Sequence, residues 1–368
     1  MKFSFYKSDL LDALKLVTKA VAVKPQTPIL SGIYLKADNS TLELQANNFS
    51  VGTIVRIPVN VEAAGVTCVG GKRFAEIIAK LPDDTATVEL ADNKLKISSG
   101  AAKFELMTFD ADDFPQVKKT EGTELTIRAA KLKEIVSRVA SAVAKDDIRP
   151  IFTGVFFDLK DGTIKAVATN THRINYFETA VEYAGEMNML IPGTALRDLA
   201  AAMPNDETFV KITTDNKSVT FQVNNIMMTV RQVAGMFPPY EKVLKVEENF
   251  SLKVNRDELK SAINRVAVVA KEGEYNSVKL TIEEGLMTIS AQTESTSAEE
   301  SLEIVGGGEL AIGFNYQYML DMLGSIDSKE LRLGFGEDQY KPSKWQGDGE
   351  ENFIGVITPV RMRGGRNV

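Results

Sequence analysis

A repeat of long period runs through this chain and limits the folds open to it. The segment from Thr27 to Val59, TPILSGIYLKADNSTLELQANNFSVGTIVRIPV, shares its layout with the segment from Arg149 to Ala180, RPIFTGVFFDLKDGTIKAVATNTHRINYFETA. Pro28 matches Pro150, Gly32 matches Gly154, and the alternation Ile33, Leu35 matches Val155, Phe157, all at one spacing of 122 residues. A weaker third copy begins near Tyr275, with the same order of strand, turn, strand and second turn. A fixed long period means one structural unit used several times, and three copies account for the 368 residues. The polar run Thr169, Asn170, Thr171, His172, Arg173 stands out in the middle copy, and that asymmetry marks the first place to look for a site.

Each third opens with a short strand and a helical pattern. Leu10, Ala13, Leu14 and Val17 recur at the three- and four-residue spacings of one helix face, as do Leu132, Ile135, Val136 and Val139, and then Leu259, Ala262, Ile263 and Val266. A second helix is expected in each copy, over Lys72 to Leu81, Thr194 to Met203 and Phe314 to Leu323. Pro82 and Pro204 follow the first two directly, as suits a residue that cannot continue a helix. Strands bounded by Asp, Asn and Gly turns follow, among them Thr87 to Leu90, Leu95 to Ser98, Val210 to Thr213 and Ser218 to Val223. The expected class is α+β, with three tandem similar domains over 1–122, 123–248 and 249–368, each placing two helices on antiparallel sheets. The segment Gly336 to Asn352, with the only tryptophan, Trp345, is long, polar and rich in turn residues, and its pattern assigns it no role.

Composition excludes several classes. With 25% charged residues and no apolar run near the roughly 20 residues of a membrane span, the chain reads as a soluble protein without a membrane partner. The start, MKFSFYKSDLLDALK, lacks the basic then apolar pattern of a signal peptide, and Cys68 is the sole cysteine, so the expectation is a reducing cytoplasm. His172 and Cys68 cannot together furnish a zinc site, and the paired aspartates Asp83 and Asp84, Asp112 and Asp113, and Asp146 and Asp147 fall in turns, where Asp caps backbone groups. GVTCVGGKR, Gly65 to Arg73, fails as a phosphate loop because Val66 and Arg73 replace the first glycine and the magnesium-binding hydroxyl. His172 beside threonines could serve a hydrolase as a base, but no third member or glycine-flanked serine accompanies it. No cofactor, metal site or catalytic residue is expected.

The net charge of −7 argues against nucleic acid only on average. The six helical stretches 8–24, 71–80, 130–145, 194–203, 256–271 and 314–323 carry 15 Lys and Arg against 8 Asp and Glu, in a chain with 43 against 50. Basic charge is therefore concentrated on the helices, although for any single helix a solvated face with paired charges explains as much.

TPIL at Thr27 to Leu30, ATNTHR at Ala168 to Arg173, FPPYEKVL at Phe237 to Leu244 and a final TPVRM at Thr358 to Met362, set within three repeats, resemble the bacterial DNA polymerase sliding clamps, the beta subunits of DNA polymerase III. The resemblance covers nearly the whole chain. It implies a homodimer, head to tail, closing a six-domain ring around double-stranded DNA without regard to sequence. It also implies a processivity factor with no catalytic activity, whose partners are the polymerase III catalytic subunit, a clamp loader, and other clamp-binding polymerases and repair proteins. The physics of the repeats agrees, since head-to-tail contacts close when the rotation per unit closes, and phosphate attraction permits sliding. The alternative from a different class is a repeat-built scaffold that binds peptides without encircling DNA.

By the same resemblance the DNA-facing residues are Lys24, Lys72, Arg73, Lys145, Arg149 and Arg197. Asp146 and Asp147 stand where the family has polar residues at a loop tip. The partner peptide groove is implied at Phe152, Thr169, Thr171, His172, Arg173, Ile174, Pro238, Lys242 and Val243, closed by Tyr318 and by Val356, Thr358, Pro359, Val360 and Met362. Without the resemblance, these residues read as ordinary core between the second and third domains. Thr171 stands where glycine is common in the family, and Thr358 where a larger apolar residue is common, which predicts a narrower or more polar groove; the tail Gly364 to Val368 runs past the usual end. For the dimer seam, the resemblance points to Phe104 and Leu106 meeting Val268 and Val269 of the second copy.

Overall fold

The computed structural model describes residues 1–145, 148–272 and 276–361. Asp146, Asp147, Tyr275, Met362 and the tail Gly364 to Val368, all named above from sequence, lie outside the described residues.

The chain divides into two compact units that cut across the middle repeat: 1–133 with 194–232, and 134–193 with 233–368. The cause is strand pairing. In the first unit, Ile226–Arg231 of the middle repeat pairs antiparallel with Val51–Pro58 of the first, Ile226 opposite Val55. In the second unit, Phe353–Ile357 of the third repeat pairs in the same way with Arg173–Ala180 of the middle one, Val356 opposite Ile174. Each junction between repeats, called a seam below, is therefore uninterrupted sheet. In the first unit one 13-stranded sheet results, and in the second a nine-stranded sheet beside a four-stranded one.

The helices form where the apolar spacing predicts. Lys7–Val17 buries Leu10, Ala13, Leu14, Leu16 and Val17, and Arg256–Ala270 buries Leu259, Ala262, Ile263 and Val266. The second helices run Gly71–Lys80, Gly193–Ala202 and Tyr316–Leu323, each beginning one or two residues away from its expected start. Asn255 and Asn315 cap their helices, each side-chain oxygen accepting two backbone N–H groups; such a cap contributes about 1 kcal/mol. The Asn315 cap accepts the N–H of Tyr318 and so fixes the turn that carries that ring.

The segment around Trp345 becomes the strand Ser343–Gly347, between Glu330–Phe335 and Phe353–Ile357. Trp345 is fully buried there and its indole N–H donates to Ser343 Oγ at 2.7 Å. Its polar neighbours hid a strand because its turns are long. Cys68 is fully buried, and burial pushes its thiol up to about 12, so it remains an unreactive thiol at neutral pH.

Candidate functional site

The polar run of the middle repeat is a tight turn between Thr163–Thr169 and Arg173–Ala180. Asn170 Oδ1 accepts the N–H groups of His172 and Arg173, both at 3.1 Å, which is the local bonding that makes Asn a turn former. Thr169 Oγ1 donates to the Arg173 carbonyl at 2.7 Å and accepts the Thr171 N–H at 3.0 Å. Thr171 is held at φ 74°, in the left-handed region that suits glycine. The sequence difference at this position is thus a matter of backbone conformation: a β-branched residue occupies a conformation it disfavours, fixed by the hydrogen bonds on either side.

That turn aims two side chains at the helix Tyr316–Leu323. The Arg173 guanidinium lies 4.6 Å from the centre of the Tyr318 ring, and the His172 imidazole stacks on the same ring at 6.2 Å and 18°. Arg173 is buried; its Nη1 pairs with Asp321 Oδ2 at 2.7 Å and its Nη2 donates to the Ser141 carbonyl. A buried guanidinium held by a carboxylate, a carbonyl and an aromatic face is a fixed piece of surface. His172 remains exposed. Its carbonyl accepts both the N–H of Thr358 at 2.9 Å and the Thr358 hydroxyl at 2.8 Å, which ties the end of the last strand to the turn, and Val360 N–H donates to Gly313 at 2.9 Å. Thr358 therefore acts through its hydroxyl, which an apolar residue in its place would lack.

Beside the turn lies an apolar cluster of Val167, Ile174, Tyr176, Leu190, Phe237, Tyr240 and Val356. Phe237 stacks on Phe156 with ring centres 5.0 Å apart and planes 5° apart. Pro238 follows Phe237 and is half-buried, while Lys242 and Val243 are exposed on the short helix Glu241–Leu244. Burial pushes the Tyr240 hydroxyl up to about 12, with the carboxylates of Asp158, Glu241 and Glu178 adding to the shift. Burial also raises Tyr176, whose hydroxyl donates to Glu178.

Of the groove residues expected from sequence, the structure brings Thr169, Thr171, His172, Arg173, Tyr318 and Thr358 into one bonded group. Ile174 and Val356 lie in the adjoining apolar cluster, and Pro359 and Val360 continue the strand end as half-buried residues. Phe152 is buried with the Arg149 guanidinium 4.6 Å above its ring. Asp321 and Ser141 bond to the Arg173 side chain and Tyr240 lies in the adjoining cluster, and none of the three was expected from sequence. Asp321 follows Tyr318 by three residues and so shares its helix face, a signal that was available; Ser141 contributes only a carbonyl, which no sequence pattern advertises.

Lys24, Lys72, Arg73 and Arg197 are exposed in the first unit, and Lys145 and Arg149 in the second. Lys24 sits at a loop tip with φ 51°. Among the described residues, Lys24, Lys72 and Arg73 make no ion pair, which leaves their charge available to an external anion.

Of the residues named for the dimer seam, Phe104 and Leu106 are half-buried on Ala102–Phe109, whose neighbour Met107 is 69% exposed. On the helix Arg256–Ala270, Val268 is 66% exposed, whereas Val269 is buried within its own unit. The helix turns only one of the two outward.

Sequence family models place these features. The descriptions "DNA polymerase III beta subunit, N-terminal domain", "central domain" and "C-terminal domain" match residues 1–118, 126–239 and 241–361 in that order. The chain belongs to the DNA polymerase III beta subunit family. The beta sliding clamp of Pseudomonas aeruginosa is 27% identical over 369 residues, covering 98% of this chain and 100% of the relative. That of Staphylococcus aureus is 28% identical, covering 98% and 99%. Among solved structures, the P. aeruginosa clamp bound to griselimycin matches with a TM-score of 0.88 at 26% identity, covering 98% of this chain and 100% of that one. The Bacillus subtilis clamp matches with 0.88 at 27%, covering 99% and 100%. The chain is thus a DNA polymerase sliding clamp in fold and function, with three clamp domains. Among the described residues no helix is long and apolar enough to cross a membrane.

Proposed function

We propose that this clamp closes into a ring as a head-to-tail homodimer, encircles duplex DNA without catalysis of its own, and tethers polymerases through the groove around His172, Arg173 and Tyr318. One observation carries the ring. Both seams within the chain pair the last strand of one repeat with the fourth strand of another: Ile226–Arg231 with Val51–Pro58, and Phe353–Ile357 with Arg173–Ala180. The remaining last strand, Ala102–Phe109, bonds to Lys94–Ser99 along one edge, and its other edge is free over 102–107 among the described residues. The remaining fourth strand, Ser297–Glu303, is the edge of the four-stranded sheet. One chain therefore carries the two halves of a third seam on different strands, and a second copy supplies what each lacks. Exposed edges of that length invite pairing, and Phe104, Leu106 and Val268 are the side chains this closure would cover.

Lys24, Lys72, Arg73, Lys145, Arg149 and Arg197 would then meet phosphates, giving salt-dependent and sequence-independent attraction. The groove fits an extended peptide with apolar anchors: a fixed Arg173 and Tyr318 wall, the Ile174 and Val356 floor, and the exposed Val243 rim. Two anchors at roughly 1.5 to 3 kcal/mol each, with backbone contacts added and the cost of ordering the peptide subtracted, correspond to about micromolar affinity, as an exchangeable docking point needs. We place the clamp in the cytoplasm, with a clamp loader, the polymerase III catalytic subunit and repair proteins as partners.

The test is retention on DNA. At salt that abolishes phosphate attraction, loaded clamp should stay on closed circles and run off linear molecules. Equal loss from both forms would leave a peptide-binding scaffold that does not encircle DNA.

A further inference from the structure

The two seams inside the chain are built on the same backbone but filled differently on their helix side. In the second unit the space is occupied from within by Arg138, buried at the end of the helix Ala129–Val139. Its guanidinium lies 5.5 Å from the centre of the Phe177 ring and 5.9 Å from that of Phe353, and its Nη1 donates to the Ser325 carbonyl at 2.9 Å. Asp327 and Glu350 complete its ion pairs, the latter at 3.4 Å.

The repeat and its strand pairing give each of these residues a counterpart in the first unit: Leu16 for Arg138 and Val55 for Phe177 by the 122-residue spacing, Ile226 for Phe353 as the residues paired with Val55 and Phe177, and Ala202 for Ser325 at the ends of the second helices. All four counterparts are smaller, and all four line a cavity of about 670 Å³. The cavity thus lies where, by the same strand pairing, the other seam places an arginine and two rings. Its floor is aliphatic, with Ala13, Ile57 and Pro58 joining these residues. Its polar lining comes from Asp9, Asp12, Lys15, Lys19, Asp198 and Asn225. Lys15 pairs with Asp12 at 2.7 Å and Lys19 approaches Asp198 at 3.8 Å, so the carboxylates exceed the ammonium groups by one.

We infer that this cavity is a binding site for an aliphatic cation, a guanidinium or ammonium group on an apolar stem, taking from outside the kind of group that Arg138 supplies within the other seam. A stem of three or four methylenes lies on Val55, Ile226 and Leu16, and the charged end reaches the carboxylates of Asp9 and Asp198. Anionic ligands are disfavoured by the surplus carboxylate, and neutral aliphatic ones leave that carboxylate without a cation. The site is separate from the groove at His172, and its failure would leave the ring and the groove untouched.

The test titrates agmatine into the full-length clamp by two-dimensional NMR, with n-butanol and sodium chloride at matched concentrations as controls. Saturable shifts confined to Leu16, Val55, Asp198 and Ile226, from agmatine and not from the controls, are expected, with dissociation in roughly the millimolar range that one small ion reaches. Leu16→Arg refills the space from within and should weaken binding by at least about tenfold. Because that variant could misfold, Val55→Phe with Ile226→Phe restores the rings of the other seam by apolar substitution and should do the same. Asp198→Asn should weaken binding without filling the cavity. Absent or non-saturating shifts, shifts equal to those of sodium chloride, or unaltered binding in both filled variants would overturn the inference.

Discussion

The turn that carries the proposed groove has a twin in the first repeat, and the two differ almost entirely in side chains. In the twin, Asn48 Oδ1 accepts the N–H groups of Ser50 and Val51, as Asn170 does for His172 and Arg173. Asn47 takes the part of Thr169, accepting the N–H of Phe49, and Phe49 stands at φ 66° as Thr171 stands at 74°. The Ser50 carbonyl accepts the Arg231 N–H at 2.8 Å, as that of His172 accepts Thr358 at 2.9 Å. Even the clusters behind the turns correspond: Tyr34 stacks on Phe114 at 5.4 Å in one, Phe156 on Phe237 at 5.0 Å in the other. What the twin lacks is the stack. Val51 replaces Arg173 and the buried Ala195 replaces Tyr318, while Asp198, the counterpart of Asp321, faces Lys19 instead. The frame follows from strand pairing and an Asn turn; the site is the set of side chains hung on it.

Removing the residue on which the two turns differ most should cost most. Arg173→Ala leaves the Asp321 carboxylate without its cation, and because that carboxylate is partly exposed and still accepts from Gln317 the cost should be about 2 to 3 kcal/mol, below that of a fully buried pair. Peptide affinity should fall at least about tenfold as Tyr318 and His172 lose their support. Val51→Ala, at the equivalent position, should cost less than about 1 kcal/mol and leave peptide binding unchanged. Denaturant titration and fluorescence anisotropy with a Leu- or Phe-bearing peptide read both. Equal effects from the two substitutions would mean that the stack does not define the site.

The clusters behind the turns give a pH comparison. With the Tyr240 phenol pushed up to about 12, the fold holds its proton more tightly than the unfolded chain, whose tyrosines titrate near 10. That contribution is fully present below about pH 10 and is lost as pH rises from 10 to 12. Tyr240→Phe should therefore flatten the alkaline loss of stability. Tyr34, in the first cluster, is raised by burial as well, but its hydrogen bond with Gln116 opposes the rise, so Tyr34→Phe should change the slope less. Chemical denaturation at pH 8, 10 and 11 separates them; a Tyr240→Phe slope equal to that of the parent would remove the cluster from the alkaline transition.

These contrasts also show where the sequence was informative. The 122-residue spacing located both turns and both clusters, because Pro28, Gly32, Ile33 and Leu35 recur where backbone geometry demands them. The polar run at Thr169 stood out as peculiar to the middle repeat, yet Asn47 and Asn48 make the same turn from different residues. Periodicity sees apolar faces and misses a conserved hydrogen-bond pattern in changed lettering. Arg173 with Asp321, and Arg138 with Asp327 and Glu350, join residues far apart in the chain, and only the paired seam strands bring them together. The compact units were hidden for a related reason: order along the chain suggests three domains, whereas the sheets bond half of the middle repeat to each neighbour.

Milder changes are expected at the two left-handed residues. Thr171 and Phe49 each hold a conformation that disfavours a Cβ, so replacement by glycine relieves strain while adding entropy to the unfolded chain. Each substitution should be stabilising by about 0.5 kcal/mol or be close to neutral, and Phe49→Gly loses little packing because that ring is 64% exposed. The stability changes should match, since the turns are the same. The binding changes should not. Thr171→Gly loosens the residue that aims His172 at Tyr318 and should lower peptide affinity by about two- to threefold, whereas Phe49→Gly should leave it unaltered. A matching loss in Phe49→Gly would show that the first turn also meets peptide, and that the shared backbone, and not the Arg173 stack, is what a partner reads.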